Sequence, residues 1–141
     1  MNNARFLVSF CVLGILLAIL VCGKKGPPSL PKKEASARVT DLKAEREKED
    51  ILLRGMISGP KELEGARVYY AQYRLEKSPC EGCPIEYQGY HGFGAEVVTE
   101  EGFLCRVPVK VQGHVYFFRV NLVGADGAIG PPSDTIKVVV E

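Results

Sequence analysis

The sequence is almost without net charge and contains no recognisable set of catalytic residues. Its 18 lysines and arginines nearly balance 17 aspartates and glutamates, which leaves a formal charge of +1. So small a charge gives no electrostatic reason to expect a nucleic-acid partner. The sequence also lacks a Ser–His–Asp set, a framed pair of carboxylates and a glycine-rich phosphate-binding motif. These absences favour a non-enzymatic protein without a cofactor or a bound metal.

Helical periodicity is absent after Ala37. The charged stretch from Lys43 to Asp50 has no apolar stripe that could pack on a core, so we interpret it as the end of a strand and a turn. The sequence contains no internal repeat. The part of the chain after Ala37 is therefore expected to be built from strands.

One long apolar run is present, at the N-terminus. A weakly basic start, Met1–Arg5, leads into the apolar stretch Phe6–Val21, and Cys22 and Gly23 end it before the polar segment Lys24–Pro28. A basic head, an apolar run and an abrupt polar segment are typical of an export signal. The run is shorter than the about 20 residues that a comfortable membrane-spanning helix needs.

The cysteine at this border resembles the processing site of bacterial lipoproteins, where signal peptidase cuts before the cysteine and lipid is attached to its sulfur. Ile19 fits the family pattern, whereas Val21 departs from it, because a small residue is usual directly before the cut. The alternatives are an uncleaved membrane anchor and simple secretion. By analogy with enteric bacteria, Gly23 after the cysteine implies the outer membrane.

The sequence divides into three parts: a signal peptide or anchor at residues 1–21, a linker at residues 22–37 and a domain at residues 38–141. The linker is rich in glycine, proline, lysine and serine, and Leu30 is its only large apolar residue. Such a segment cannot bury apolar area, so we expect a flexible, extended linker. About 120 residues remain after the signal, enough for one domain.

Short strands with period-two alternation are predicted throughout this domain. The clearest is Val115–Leu122, in which one face is apolar and Arg119 and Asn121 lie on the opposite face. The residues predicted to face the core are Tyr116, Phe118, Val120 and Leu122. Further strands are predicted around Val39, Ile51, Tyr69, Phe103 and Ile136. Many short strands with glycine and proline turns in about 100 residues indicate an all-β antiparallel sandwich.

The segment Tyr116–Leu122, followed by Asp126–Gly127 and Gly130–Ser133, resembles strand F, the turn and strand G of a fibronectin type III domain. That family has the pattern Tyr-x-Phe-Arg-Val-x-Ala before a glycine turn. Val39-x-x-Leu42 resembles its strand A. The resemblance covers residues 38–141 and implies an immunoglobulin-like β-sandwich.

The chain has no tryptophan, although the fibronectin type III family normally buries one on strand B. Ile57, three residues before Pro60, takes that place here. The resemblance also implies that Tyr116 forms a tyrosine corner, with its hydroxyl bonded to the backbone near Val111 or Gly113.

Three cysteines fall within the domain, an odd number for an oxidising compartment. Cys80 and Cys83 form a C-x-x-C motif, and Cys105 follows at a distance. A structural disulfide can join Cys80 to Cys83, or either of them to Cys105. Sequence proximity slightly favours the first pairing, which leaves Cys105 as the odd thiol.

Other chemistry for these cysteines stays open. A redox pair needs a helix N-terminus to lower the thiol pKa, and here Pro79 and Pro84 flank the motif in a β protein. Zinc bound by the three cysteines with His91 or His114 is a further alternative, although a single C-x-x-C is a weak zinc signal. Free thiols are the remaining one.

The segment Tyr87–Gly94 is rich in glycine and aromatic residues and shows no strand period. Tyr87, Tyr90 and Phe93 are a candidate surface on which a sugar or a peptide could stack. The alternative is a loop folded back over the edge of the sandwich.

These features suggest a membrane-tethered, non-enzymatic envelope lipoprotein that acts as an interaction or structural module. The expected partners are membrane lipid at the anchor and another envelope protein or a glycan at the domain, which faces the periplasm. Two alternatives remain because a fold alone does not name a ligand. One is a thiol-redox or metal-binding protein that uses Cys80 and Cys83, and the other is a carbohydrate-binding module that uses Tyr87, Tyr90 and Phe93.

Replacing Cys22 by serine is expected to move the protein out of the membrane fraction, or to leave the uncleaved precursor there, because the lipid acceptor is lost. Val21→Ala is expected to speed processing, since a small residue before the cysteine suits the peptidase. Membrane fractionation and the mass of the mature chain measure both effects. An unchanged mass and fractionation of the Cys22→Ser variant would contradict lipidation.

Overall fold

Residues 37–141 are the part of the chain that the computed structural model describes, and they form two antiparallel β-sheets packed face to face. The predicted signal at residues 1–21, the predicted lipidation site Cys22 and the linker up to residue 36 lie outside the described residues. Ala37, predicted as the last linker residue, is buried in the core. Within residues 37–141 no helix is long and apolar enough to cross a membrane.

Nine strands build the two sheets, with short 3-10 helices at Leu75–Lys77 and Ala95–Val97. The strands are β1 (Arg38–Glu47), β2 (Asp50–Ser58), β3 (Leu63–Arg74), β4 (Gly89–Phe93), β5 (Val98–Thr99), β6 (Gly102–Pro108), β7 (His114–Gly124), β8 (Ile129–Pro132) and β9 (Ile136–Val140). Sheet A has the order β1–β2–β6–β5. Sheet B has the order β4–β3–β7–β8, and β9 also pairs with β7. The all-β sandwich predicted from the alternation is confirmed.

The long ladder between β3 and β7 forms the centre of sheet B. Its register sets Tyr70 opposite Phe118 and Tyr69 opposite Arg119. Because side chains alternate between the two faces of a strand, this register fixes which residues enter the core. The residues of β7 that lie in the main core are Tyr116, Phe118, Val120 and Leu122.

The face of β3 that meets the core differs from the apolar face expected from the sequence. The alternation of Tyr69, Ala71 and Tyr73 is prominent in the sequence, but Ala66 and Val68 are the fully buried β3 residues of the main core. Ala71 belongs to a second, smaller cluster on the outer side of sheet B. Both faces of β3 are therefore partly apolar, because each is covered by another part of the chain.

The segment Gly89–Phe93 is a strand and not the loop that the sequence suggested. It pairs with β3, with Tyr90 opposite Tyr69 and Phe93 opposite Ala66. Two glycines in five residues weaken the alternation of apolar and polar side chains that would predict a strand. The segment is a strand because it pairs with β3. Gly65 of β3 allows the two strands to approach each other closely, since a β-carbon at this position would collide with the carbonyl oxygen of Phe93. The φ angle of Gly65 is +157°.

Two side-chain hydrogen bonds anchor β7, one from Tyr116 within the strand and one to Ser133 after it. The hydroxyl of Tyr116 donates to the carbonyl oxygen of Val111 at 3.4 Å, as the resemblance to a tyrosine corner predicts, and burial raises the pKa of Tyr116. The buried Ser133 accepts a hydrogen bond from the Val120 amide at 2.9 Å. Ser133 lies between β8 and β9, so this bond holds both strands against β7.

Truncation of Phe118 to alanine is expected to destabilise the domain by about 3–5 kcal/mol, because the ring is 1% exposed between the sheets. Tyr90→Ala is the matched aromatic control on the surface, where the ring is 51% exposed. Its cost is expected to be about 1 kcal/mol or less. Denaturant titration of both variants measures the difference, and the reverse order would show that the register of β7 is wrong.

Candidate functional site

The outer face of sheet B is covered in part by the segment that carries the C-x-x-C motif. Ala71, Val115 and Phe117 form a second cluster on this face, and Ile85 and Tyr87 pack against it. The segment between β3 and β4 therefore folds over the sheet that it connects. Its apolar side chains cover Val115 and Phe117 of β7, which would otherwise be exposed to water on this face.

Hydrogen bonds fix the end of this covering segment to β3. The side chain of Gln88 donates to the carbonyl oxygen of Gln72 at 2.9 Å and accepts from the Gln72 amide at 3.2 Å. The hydroxyl of Tyr73 donates to the carbonyl oxygen of Glu86 at 3.3 Å. Tyr87 lies between Glu86 and Gln88 in the sequence, so these bonds also position it. Its hydroxyl shares a 2.7 Å hydrogen bond with the hydroxyl of Thr135.

A disulfide joins Cys80 to Cys83 within the same segment, with 5.3 Å between the Cα atoms. This is the pairing that sequence proximity favoured. No helix of the described chain begins at the motif, since the nearest helix ends at Lys77. The arrangement therefore lacks the helix N-terminus that lowers the thiol pKa in redox pairs.

Cys105 takes no part in this disulfide. It is free, lies on β6 opposite Leu53 and is 4% exposed in the main core. Burial raises the pKa of its thiol to about 12. A bridge from the motif to Cys105 is therefore wrong, because the thiol faces the interior of the sandwich.

The zinc alternative needs ligands that the fold keeps apart. His91 stacks on Tyr70 with 5.0 Å between the ring centroids, and Nδ1 of His114 lies 2.8 Å from the carbonyl oxygen of Gln112. Among residues 37–141 no group of three or more histidine, cysteine, aspartate or glutamate side chains could hold a metal ion.

Beside the covered area lies a set of aromatic and cationic side chains that we name the tyrosine–arginine face. Its members are Arg67, Tyr69, Tyr87, Tyr90 and Arg119. The ladder places Tyr90, Tyr69 and Arg119 side by side on β4, β3 and β7. Three adjacent strands and the covering segment thus build one continuous surface.

Each arginine of this face stacks on tyrosine rings. The guanidinium carbon of Arg119 lies 4.4 Å from the centroid of the Tyr87 ring and 5.3 Å from that of Tyr69. The corresponding distance from Arg67 to Tyr90 is 5.0 Å. Stacking of this kind fixes the plane of a guanidinium while its N–H groups stay available at the edge.

Within the part of the chain that the structure describes, no ion pair joins Arg67 or Arg119 to a carboxylate. The ion pairs within residues 37–141 involve other arginines, namely Arg38, Arg54 and Arg106. The Nε atom of Arg119 is buried and has no hydrogen-bond partner. Two stacked arginines without an acidic partner create a site that attracts an anionic group.

The candidate ligand residues from the sequence are divided by the fold. Tyr87 and Tyr90 lie on the tyrosine–arginine face, whereas Phe93 packs against the main core on the opposite side of β4. Phe93 is therefore removed from the candidate surface. Arg67, Tyr69 and Arg119 were missed, and the signal that could have found them is the register of β3 with β4 and β7.

A groove of about 520 Å³ crosses the outer face of sheet A and is lined in part by Leu52, Met56 and Leu104. Its arginines, Arg54 and Arg106, are paired with glutamates of β1. The groove also carries charges of both signs, from Asp41, Lys43 and Glu101, and so has no single charge preference. The tyrosine–arginine face, whose charged members are all cationic, is the stronger candidate.

Comparison with known proteins supports the fold. No family model matches the chain, and no curated protein matches it. The solution structure of the third fibronectin III domain of human KIAA0343 protein is similar, with a TM-score of 0.53 and 16% sequence identity over 84% of this chain and 93% of that chain. At this identity the likeness shows the fold alone, and the predicted fibronectin type III-like sandwich is confirmed.

Treatment of the native protein with iodoacetamide is expected to leave Cys105 unlabelled until the domain is unfolded, because the reactive thiolate is suppressed and the sulfur is inaccessible. Cys80 and Cys83 are expected to label in the native protein once a reductant is added, which provides the internal control. Peptide mapping by mass spectrometry measures all three sites. Native labelling of Cys105 at the rate seen in denaturant would contradict its placement.

Proposed function

We propose that this chain is a non-enzymatic interaction module tethered to the bacterial envelope. The proposed tether is lipid on Cys22 after removal of residues 1–21, and the proposed location is the outer membrane with the domain facing the periplasm. The export-signal pattern of the N-terminus supports this assignment. The fibronectin type III-like sandwich is compatible with it, because one such fold can host many unrelated functions in the sites that it carries.

The observation that carries the proposal is the tyrosine–arginine face. Tyrosine and arginine are the residue types enriched at the energetic centres of protein interfaces. Here they stand on paired strands, and Arg119 is held between Tyr69 and Tyr87. A rigid surface loses little side-chain entropy when a partner binds, so its contacts contribute more fully to affinity.

The chemistry of the face favours an anionic partner over a neutral sugar. A sugar stacks on the open face of an aromatic ring, but the guanidinium of Arg67 lies over Tyr90 and that of Arg119 over Tyr69 and Tyr87. The stacked guanidiniums instead offer N–H groups that suit a carboxylate or a phosphate. The proposed partner is therefore an acidic component of the envelope.

The disulfide supports this surface and has a structural role in the proposal. Cys80 and Cys83 lie in the segment that delivers Tyr87 to its position over Arg119. A bridge there restricts the unfolded segment and favours the covering conformation, although the entropic gain from so short a loop is small.

Arg67→Ala and Tyr90→Ala are each expected to weaken partner binding by about fivefold or more, equal to about 1 kcal/mol, since each removes an arginine or tyrosine contact of the face. The matched control is Arg106→Ala, which removes an exposed arginine from the outer face of sheet A. The measurement is retention of solubilised envelope components on the immobilised full chain, with quantitation of each bound species.

Equal losses for Arg106→Ala would show that general positive charge, and not this face, determines binding. Unchanged retention for both face variants would contradict the proposed contact surface. The fractionation of the Cys22→Ser variant tests the tether separately.

A further inference from the structure

β4 forms an edge of sheet B that has a neighbour on one side only. It pairs with β3, and within residues 37–141 no strand pairs with its other side. The strand Gly-Tyr-His-Gly-Phe contains no proline, lysine or carboxylate. Natural proteins usually block such edges with proline, charge or short length, because unpaired backbone groups invite another strand.

The remaining edge strands of the domain carry those protections. β8 contains Pro131 and Pro132, and β5 is two residues long. β1 carries charged side chains along most of its length. Among the described strands β9 pairs with β7 alone, and it carries Lys137. Among the edge strands of residues 37–141 that are longer than two residues, β4 is therefore the one without proline or a lysine or carboxylate side chain, and its two sides offer different chemistry.

On the inner side, a cleft of about 290 Å³ opens between the two sheets next to β4. Its lining includes Tyr70, His91, Val109 and Val111, with Phe118 behind them. Gln72 and Lys110 also line the cleft, but its exposed area is mainly apolar. It can receive an apolar side chain from a strand that lies beside β4.

On the outer side, β4 presents Tyr90 and Gly92 next to Arg67. The register sets Gly92 directly opposite Arg67, and a β-carbon at Gly92 would meet no atom within 4 Å. Space is therefore open beside an arginine that forms no ion pair with a carboxylate of residues 37–141. An acidic side chain from a neighbouring strand fits this place in both charge and size.

We propose that the free edge of β4 binds an extended, acidic segment of a protein partner as an additional strand of sheet B. An added strand would lie about 4.8 Å from β4, and its side chains would alternate between the two faces. Acidic side chains then point to Arg67 and Tyr90, and the apolar side chains between them point to the inter-sheet cleft. This inference rests on the proposed interaction function and names the partner's chemistry.

The test uses the full chain purified in detergent and short synthetic peptides blocked at both ends. One peptide alternates valine and glutamate, a second alternates valine and lysine, and a third has the composition of the first with the glutamates in one block. Fluorescence anisotropy measures affinity, and amide hydrogen exchange measures protection of residues 89–93. We expect the valine–glutamate peptide to bind at least about tenfold more tightly than either other peptide, a difference of about 1.4 kcal/mol, and to slow exchange in β4.

Gly92→Glu and Gly92→Gln form the matched pair of variants. Both side chains enter open space and have the same shape, but only glutamate supplies Arg67 with a carboxylate from within the domain. We expect Gly92→Glu to weaken binding of the valine–glutamate peptide at least about tenfold relative to Gly92→Gln. Circular dichroism of both variants confirms that the sandwich is retained.

The inference is overturned by equal affinity for the lysine peptide, by binding without protection of residues 89–93, or by equal effects of the two Gly92 variants. Preferential binding of an acidic oligogalacturonate in place of the peptide also overturns it, because a glycan adds no strand. The proposed function fails independently, when envelope components are retained equally by Arg67→Ala, Tyr90→Ala and the parent chain.

Discussion

The pairing of β3 with β7 is the constraint on which the rest of the domain depends. It sets Tyr70 against Phe118 on the inner side and Tyr69 against Arg119 on the outer side. A slip of one residue would exchange the two faces, bury a guanidinium between the sheets and expose the Phe118 ring. The core and the candidate site are thus two sides of the same ladder, and neither can change register without loss of the other.

The sequence predicts the fold well where one strand carries its own pattern. The alternation in β7 and the following glycine and proline turns are local, and they indicate the sandwich and the core residues. The sequence predicts the fold less well where a segment becomes a strand only through pairing with a neighbouring strand. β4 has two glycines in five residues and becomes a strand because β3 pairs with it. The apolar face Tyr69–Tyr73 is ambiguous because the covering segment buries part of it from outside.

The candidate site could be predicted only in part, for the same reason. Tyr87 and Tyr90 are visible as aromatic residues in an unusual segment, but their association with Arg119 depends on contacts between positions far apart in the chain. A side chain that alternation assigns to the exterior can still be enclosed when another segment folds over it. Arg119 shows this, since it lies on the outer face and yet its Nε atom is buried.

The absence of tryptophan gives the tyrosine–arginine face an intrinsic optical signature. The six tyrosines therefore dominate the near-ultraviolet emission of the folded chain, and three of them, Tyr69, Tyr87 and Tyr90, belong to this face. No indole is present to drain their excitation by energy transfer. The polarity and quenching around these phenols change when a guanidinium leaves a ring or a ligand covers it. The unlabelled protein therefore carries its own spectroscopic reporter of whether the face is occupied.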